Sequence, residues 1–270
     1  MIKLGVFDLD GTLLDSEGNL PETFYSDAGK LGERGVHVAI ASARPVQFLF
    51  EIFDRDVDIL ISGEDGNIFF RGKKLLHARY LSFDLINRVM ERIAQRDDMA
   101  TIFSSLDALY VSKEDFDRLT KWGLERFLPE EPSALSGEEK ITKIHLYCSG
   151  GVEMAKEMVA DFFNDLADDC DVMEVGHGWI GFTEKGSNKA SAVRFFQEYL
   201  ELSGDEIAVF GDSENDLHMF ELTKYSFAMK NADESIKEKA AFITDDDNDH
   251  NGAMKALLKA TCRTDADHKN

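Results

Sequence analysis

Short apolar runs alternate with amphipathic stretches over much of the chain. Apolar runs predict strands at about 2–8, 36–41, 58–62, 206–210, 225–229 and 241–244. Apolar residues at helical spacing predict helices near 22–34 and 45–53, and a further helix that begins at Lys189. Strands that alternate with helices are typical of a parallel sheet. The pattern therefore predicts an α/β fold with a doubly wound parallel sheet.

Between about 82 and 184 the pattern changes. A hairpin turn is predicted at 69–73, and apolar residues then recur at helical spacing from Phe83 to Ile93. Strands are predicted near 100–104, 108–112, 142–148, 171–175 and 178–183, with helices at 114–127 and 151–167. This mixture predicts an inserted α+β cap domain at 82–184. Residues 1–81 and 185–270 would then form a discontinuous, Rossmann-like catalytic core.

Composition and charge narrow the class of protein. With 270 residues, 43% of them hydrophobic, the chain exceeds the ~100–150 residues of a typical domain, so two domains are expected. A formal net charge of −22 disfavours nucleic acid as a partner, because its phosphates would be repelled. The chain has no apolar run near the ~20 residues of a membrane span, no basic leader and an odd number of cysteines. We expect a cytoplasmic protein without a membrane partner, of unknown oligomeric state.

Two carboxylates stand two residues apart where the first predicted strand ends, in the run Phe7-Asp8-Leu9-Asp10-Gly11-Thr12. Such residues also occur in ordinary acidic turns. Gly11 allows a sharp turn, Thr12 can hydrogen-bond that turn, and two fixed anions suit a hard cation such as Mg2+. The motif indicates a metal site for phosphoryl chemistry.

Two later segments offer groups that can bind phosphate. Ser42 follows the second predicted strand, where its hydroxyl can donate to a phosphate oxygen or cap the helix that Pro45 starts. Arg44 can clamp a second anionic group, although an ion pair with a nearby acid is favoured. Lys189 lies in the first turn of its helix, where the dipole disfavours a cation, and this position indicates an anionic partner.

The strongest second motif is the run Gly211-Asp212-Ser213-Glu214-Asn215-Asp216, which again follows an apolar strand. Asp212 and Asp216 can add carboxylates to a metal site, and Asn215 offers an amide that can hold them in place. An acidic helix start would explain one of these residues but not the whole set.

Together these elements resemble the motifs of the haloacid dehalogenase superfamily, in its Cof-type subfamily of Mg2+-dependent phosphatases, over nearly the whole chain. The resemblance implies that Asp8 is the nucleophile and Asp10 the general acid and base. It implies phosphate binding by Ser42, Lys189 and Leu9, and a Mg2+ ion held by Asp8, the backbone carbonyl of Asp10, and Asp212. The residues implied in supporting roles are Asp216, Asn215, Arg44 and Asn231.

Three positions depart from the subfamily pattern. Ala43 replaces a usual glycine after Ser42. Asp65 replaces a usual asparagine and would repel an anionic substrate nearby. Lys230 replaces a usual glycine, whereas Asn231 matches and is expected to brace the acidic loop.

We therefore expect Mg2+-dependent hydrolysis of a small phosphorylated metabolite, a sugar phosphate or a cofactor-like phosphate, through an aspartyl-phosphate on Asp8. A phosphomutase shares this nucleophile and remains an alternative. A non-catalytic module that binds a phosphometabolite or accepts a phosphoryl group is a third possibility. In the cap, His145, His177 and Trp179 are candidates for substrate contact, with packing inside the cap favoured for each.

Overall fold

The structure is a computed structural model that describes residues 1–54 and 56–262. It divides into two compact units. The first comprises the described residues within Met1–Ser42, Phe50–Leu76 and Asn188–Asn270, and the second comprises Ala43–Leu49 and His77–Ser187. The assignment of residues 82–184 as a cap stays a prediction, and the end of the predicted core, 263–270, lies outside the described residues.

The described residues form thirteen strands and nine α-helices. The strands are β1 (Leu4–Phe7), β2 (His37–Ala41), β3 (Leu60–Gly63), β4 (Ile68–Arg71), β5 (Lys74–Ala78), β6 (Met99–Ser104), β7 (Leu109–Tyr110), β8 (Lys143–Cys148), β9 (Cys170–Glu174), β10 (Trp179–Glu184), β11 (Ile207–Gly211), β12 (Tyr225–Ala228) and β13 (Phe242–Ile243). The helices are α1 (Phe24–Glu33), α2 (Val46–Ile52), α3 (Phe83–Ile93), α4 (Lys113–Lys121), α5 (Gly151–Glu157), α6 (Lys189–Tyr199), α7 (Leu217–Phe220), α8 (Glu234–Lys237) and α9 (Gly252–Thr261).

An eight-stranded, mostly parallel sheet has the order β13-β12-β11-β1-β2-β3-β4-β5. The chain runs from β1 towards β2 and β3 on one side and later fills β11 to β13 on the other, so the strand order reverses at β1. Neighbouring strands from β13 to β3 are parallel, and β4 is antiparallel to β3. Crevices at such a reversal are where open α/β sheets bind ligands.

The hairpin turn predicted at 69–73 is shorter in the structure. Phe69 and Phe70 are buried in β4, and the turn is confined to Gly72 and Lys73. Gly72 has a φ of 52°, which a residue without a side chain adopts easily. Phe69 and Phe70 therefore belong to the antiparallel strand β4 of the sheet and not to a turn.

A row of stacked phenyl rings crosses four neighbouring parallel strands. Phe7, Phe210, Phe227 and Phe242 are register partners on β1, β11, β12 and β13. Their ring centroids lie 4.7, 4.7 and 5.0 Å apart in that order. Aromatic contacts of this kind stabilise a sheet beyond the apolar area that they bury. The row therefore fixes the register of β1 against β11.

The second unit contains an antiparallel sheet with the order β7-β6-β8-β10-β9. Alternate residues of β6 contribute to two apolar clusters: Met99 and Phe103 to one that includes α3, and Ala100 and Ile102 to one that includes Leu119 of α4. Period-two alternation of this kind places the two clusters on opposite faces of the sheet.

Two helices predicted in this region are shorter than expected. The helix predicted at 114–127 ends at Lys121, because Gly123 has a φ of 77° and stops it. The helix predicted at 151–167 is regular only to Glu157, and a wider turn over Met158–Phe162 follows. Both segments are helical in their first turns.

Candidate active site

The polar residues of the two acidic motifs lie at the carboxyl ends of neighbouring parallel strands. Asp8 follows β1, Asp212 follows β11, and Ser42 follows β2. The backbone N–H of Asp8 donates to the carbonyl of Phe210 (2.9 Å), so the strand pairing extends up to the first carboxylate. The sheet thus brings together side chains that are far apart in the sequence.

Lys189 is the centre of the hydrogen bonding at this site. Its Nζ donates to Asp8 Oδ1 (2.6 Å), Asp216 Oδ1 (2.7 Å) and Asn215 Oδ1 (2.8 Å). The side chain is only 3% exposed. Burial alone would lower the pKa of Lys189, but the carboxylates of Asp216 and Asp8 outweigh it and raise that pKa. The lysine is therefore charged, and the anionic partners expected from its position at a helix start are these two carboxylates.

Asp216 organises the loop that carries Asp212. Its Oδ2 accepts from the backbone N–H groups of Asp212 (2.9 Å) and Ser213 (3.1 Å) and from Ser213 Oγ (3.2 Å). Its Oδ1 accepts from Lys189, and the side chain is fully buried. Both oxygens of Asp216 are thus already satisfied by protein donors.

Asp212 is held from the opposite side by the turn that follows Asp8. Thr12 Oγ1 donates to Asp212 Oδ1 (3.0 Å), so this hydroxyl reaches across to the second motif instead of bonding its own turn. Gly11 has a φ of 77°, and a Cβ at this position would lie 2.4 Å from Asp212 Oδ2. Only glycine fits here, for conformational and for steric reasons.

Three carboxylates therefore converge at one place. Asp8, Asp212 and Asp216 each offer an oxygen, and these oxygens lie within 4.8 Å of one another. Burial raises the pKa of Asp8 well above its ordinary value, and the negative charge of Asp216 raises it further, while Lys189 opposes this. The pKa of Asp212 is raised by burial and then by Asp216. Three carboxylates against one ammonium group leave an excess of negative charge.

The donor set fits a hard divalent cation such as Mg2+, since all the converging groups are carboxylate oxygens and the excess charge is negative. Because Asp216 is satisfied by protein donors, Asp8 and Asp212 are the side chains suited to bind the ion. The side chain of Asp10 is exposed and is not in this carboxylate cluster. Its implied contribution through the backbone carbonyl stays a prediction.

The other residues implied by the resemblance are placed as follows. Ser42 is buried, its N–H donates to Ser62 O (3.0 Å), and its carbonyl accepts from the N–H of Asp65 (3.0 Å). Leu9 is buried, and its carbonyl accepts from the N–H of Leu14 (2.9 Å). Arg44 belongs to the second unit. The phosphate-binding roles of Ser42, Lys189 and Leu9 and the supporting role of Arg44 stay predictions.

Asn231, expected to brace the acidic loop, donates from Nδ2 to the carbonyl of Gly11 (2.8 Å). The preceding Lys230 is exposed, and its Nζ donates to the carbonyl of Asp245 (3.0 Å). At another departure from the subfamily pattern, Glu64 and Asp65 adopt left-handed φ values of 54° and 57°. Such values are unfavourable for residues with a side chain, and they mark the tight turn between β3 and β4.

Comparison with known proteins identifies the family. The sequence model of a protein family, described as haloacid dehalogenase-like hydrolase, matches residues 6–257 of the chain. The chain belongs to this family. The predicted family and fold class are thereby confirmed, as is the prediction of a hydrolase of the phosphatase type.

Two curated proteins and a solved structure resemble the chain over most of its length. It is 24% identical over 246 residues to a phosphoglycolate phosphatase of Thermoplasma volcanium, which covers 90% of this chain and 92% of the relative. It is 25% identical over 249 residues to the 5-amino-6-(5-phospho-D-ribitylamino)uracil phosphatase YbjI of Escherichia coli, with coverages of 89% and 90%. The crystal structure of SMU.1108c from Streptococcus mutans UA159 superposes with a TM-score of 0.81 at 25% identity, with coverages of 96% and 98%.

The second unit of this haloacid dehalogenase-like hydrolase contains the three candidates for substrate contact. His145 is buried, and its Nε2 is hydrogen-bonded to Ser104 Oγ (2.8 Å). Burial and then the charge of Lys143 lower the pKa of His145 well below its ordinary value, so the ring is neutral. Trp179 packs against Tyr147, with ring centroids 5.1 Å apart. These contacts agree with packing roles inside the unit.

The third candidate, His177, lies exposed in the turn between β9 and β10 with a φ of 54°. Across the described residues, none of the helices is long and apolar enough to cross a membrane. The cytoplasmic location stays a prediction.

Proposed function

We propose that this haloacid dehalogenase-like hydrolase is a Mg2+-dependent phosphatase that hydrolyses a small phosphorylated metabolite through an aspartyl-phosphate on Asp8. One observation carries the proposal: Asp8, Asp212 and Asp216 converge within 4.8 Å, and the ammonium group of Lys189 lies between Asp8 and Asp216. This arrangement combines a fixed carboxylate nucleophile with the charges that phosphoryl transfer needs.

Asp8 and Asp212 would hold the metal ion. A bound Mg2+ ion would neutralise part of the negative charge that builds up when an anionic nucleophile approaches a phosphate dianion. Asp216 then acts on the site indirectly, because it orients Lys189 and the Asp212 loop through four hydrogen bonds. Loss of Asp216 would therefore misplace two groups at once.

The chain's own residues divide the reaction into two steps. In the first, an oxygen of the Asp8 carboxylate attacks phosphorus, the bond from phosphorus to the leaving oxygen breaks, and Asp10 gives that oxygen a proton. In the second, water attacks the phosphorus of the aspartyl-phosphate and passes a proton to Asp10, and the bond from phosphorus to the Asp8 oxygen breaks. Inorganic phosphate leaves, and both carboxyl groups return to their starting states.

Lys189 has two parts in this scheme. Its hydrogen bond to Asp8 Oδ1 fixes the rotation of the nucleophile. Its charge also stabilises the negative charge that collects on the phosphoryl oxygens in the transition state, as fixed donors in catalytic sites do. The hydroxyl of Ser42, at the end of the neighbouring strand β2, is the proposed second phosphate donor.

The names of the relatives support a small substrate. One relative is a phosphatase of phosphoglycolate, and another is a phosphatase of a phosphorylated ribitylaminouracil. Both compounds are phosphate monoesters of small molecules. We therefore propose the same class here, a sugar phosphate or a cofactor-like phosphate, without a partner of nucleic acid or membrane.

The experiment measures phosphate release from p-nitrophenyl phosphate with Mg2+ and with EDTA, for the wild type and for Asp8→Asn. Release should require Mg2+ and should be lost in the variant. Asp205→Asn is a matched control, since Asp205 is exposed and pairs with Lys224 at the surface. Release that persists in EDTA, or in Asp8→Asn, contradicts the proposal. With a sugar phosphate, an isomerised product would instead indicate a phosphomutase, and binding without turnover would indicate a non-catalytic module.

A further inference from the structure

Two asparagine side chains hold the turn that follows Asp8. Asn231 Nδ2 donates to the carbonyl of Gly11 (2.8 Å), and its Oδ1 accepts from the N–H of Asn248 (3.2 Å). Asn248 Nδ2 donates to the carbonyl of Leu14 (3.0 Å). The turn is thus held at Gly11 and at Leu14, and both bonds lead back to Asn248.

Asn248 is well placed to act as an anchor. It is buried, with 8% of its surface exposed, in a short 3-10 turn between β13 and α9. The Asp247 side chain caps this turn by accepting from the N–H of His250 (3.1 Å). A Cβ at Gly252 would lie 2.0 Å from the carbonyl of Asp246, so the start of α9 is packed closely against the same segment. The anchor therefore belongs to a tightly packed part of the first unit.

The turn needs such support because its backbone is irregular. Gly11 has a φ of 77°, and Asp10 has a φ of −78° and a ψ of 121°, so both depart from helical backbone angles within the wide turn over Leu9–Leu13. Asp8 has its own restraints, the backbone bond to Phe210 and the bond from Lys189. Asp10 lies one residue before Gly11, whose carbonyl Asn231 holds. Asn231 and Asn248 therefore restrain the backbone that follows Asp10.

We propose that Asn248 is a positioning residue for the general acid Asp10, acting through the Leu14 carbonyl and, by way of Asn231, through the Gly11 carbonyl. The proposal rests on the function proposed above, in which Asp10 gives a proton to the leaving oxygen. Loss of Asn248 should impair this proton transfer while attack by Asp8 continues.

Substrates with different leaving groups test this directly. Phenoxide is a strong base that needs a proton as it leaves, whereas p-nitrophenoxide leaves readily without one. We would measure kcat/KM, which covers only the steps up to alcohol release, for phenyl phosphate and p-nitrophenyl phosphate. Asn248→Ala should lower the value about tenfold for phenyl phosphate, as expected for one lost hydrogen bond, and by about twofold or less for p-nitrophenyl phosphate.

Control variants separate this role from a general loss of structure. Asn251→Gly removes a neighbouring side chain whose Nδ2 donates to Thr23 Oγ1 (3.1 Å), away from the turn, and it suits the left-handed φ of 58°. It should leave both substrates unaffected. Asn231→Ala should repeat the pattern of Asn248→Ala, and the double variant should lose less than the product of the two single losses, because both act on one turn.

Equal losses for the two substrates, or no loss in either asparagine variant, would overturn the proposal. Asp10→Ala supplies the reference, since it should discriminate between the substrates more strongly than any asparagine variant. If Asp10→Ala does not discriminate, the acid role in the proposed function is wrong. If Asp10→Ala discriminates and the asparagine variants do not, only the role of Asn248 is wrong.

Discussion

Replacing Lys189 by methionine removes a buried ammonium group and keeps most of the side-chain volume. The group lies 2.6 Å from Asp8 Oδ1 and 2.7 Å from Asp216 Oδ1, with only 3% of its side chain exposed. Removing one member of a buried ion pair leaves a buried charge uncompensated, which costs about 3–5 kcal/mol. Because two carboxylates lose their partner here, we expect the free energy of unfolding to fall by an amount in this range.

Lys255→Met is the matched control. Lys255 Nζ lies 2.7 Å from Asp246 Oδ2, the same distance as in the pair of Lys189 with Asp216, but the two side chains are 56% and 41% exposed. Exposed pairs contribute little, because water and side-chain entropy offset the attraction. The control should therefore leave the free energy of unfolding nearly unchanged, and the difference between the two variants measures the effect of burial.

Urea unfolding followed by circular dichroism, in EDTA to keep the site free of metal, measures both variants. Trp122 and Trp179 both lie in the second unit, so tryptophan fluorescence tests whether the change is confined to the first. The loss in Lys189→Met should shrink as the pH falls. Uncompensated carboxylates have a raised pKa in the folded state, so the folded protein then binds more protons than the unfolded chain. Equal losses in the two variants, or a loss that grows as the pH falls, would refute the reasoning.

Two further predictions concern the glycine turn and the metal. Gly11→Ala should lower kcat/KM at least about tenfold, because its Cβ would displace Asp212 from a carboxylate position on which the metal depends. Gly18→Ala has a similar φ of 84° with nothing within 4 Å, so it should lose some stability and keep its activity, and equal activity in both variants would contradict the prediction. Burial raises the pKa of Asp8 and of Asp212 in the folded state. Without metal, the folded state therefore becomes less stable as the pH rises from the pKa of an unfolded aspartate through these raised pKa values. Addition of Mg2+ should therefore raise the melting temperature more at about pH 8 than at about pH 5, and the opposite order would argue against a metal at these carboxylates.

The sequence allowed prediction of the strands whose ends form the site. Continuous apolar runs before Asp8, Ser42 and Asp212 correspond to β1, β2 and β11, because a strand buried on both faces requires such a run. The confirmed α/β fold class follows from the same pattern. The sequence also indicated that Lys189 has an anionic partner, because a cation at the start of a helix is unfavourable without one.

Long-range contacts were not predictable in the same way. Thr12 and Asp212 are 200 residues apart in sequence, and their hydrogen bond depends on the neighbouring positions of β1 and β11 in the sheet. The role proposed for Asn248 depends on the backbone carbonyls of Gly11 and Leu14. Every residue has such a carbonyl, so the residue types do not indicate which carbonyls accept these hydrogen bonds. The end of α4, in contrast, is indicated locally in the sequence by Gly123. The prediction extended the helix past this glycine because the apolar spacing continues beyond it.

The stacked rings of Phe7 and Phe210 have a consequence for the metal site. Phe7 lies one residue before Asp8, and Phe210 lies two residues before Asp212. Sliding β11 along β1 would therefore separate the rings and move the carboxylate of Asp212 away from that of Asp8. Neighbouring strands in any sheet are about 4.8 Å apart, which is already a suitable separation for two groups that share one cation. The separation of the two carboxylates that are proposed to hold the ion therefore follows from the lateral spacing of the sheet, and loops elsewhere in the chain can vary without altering it.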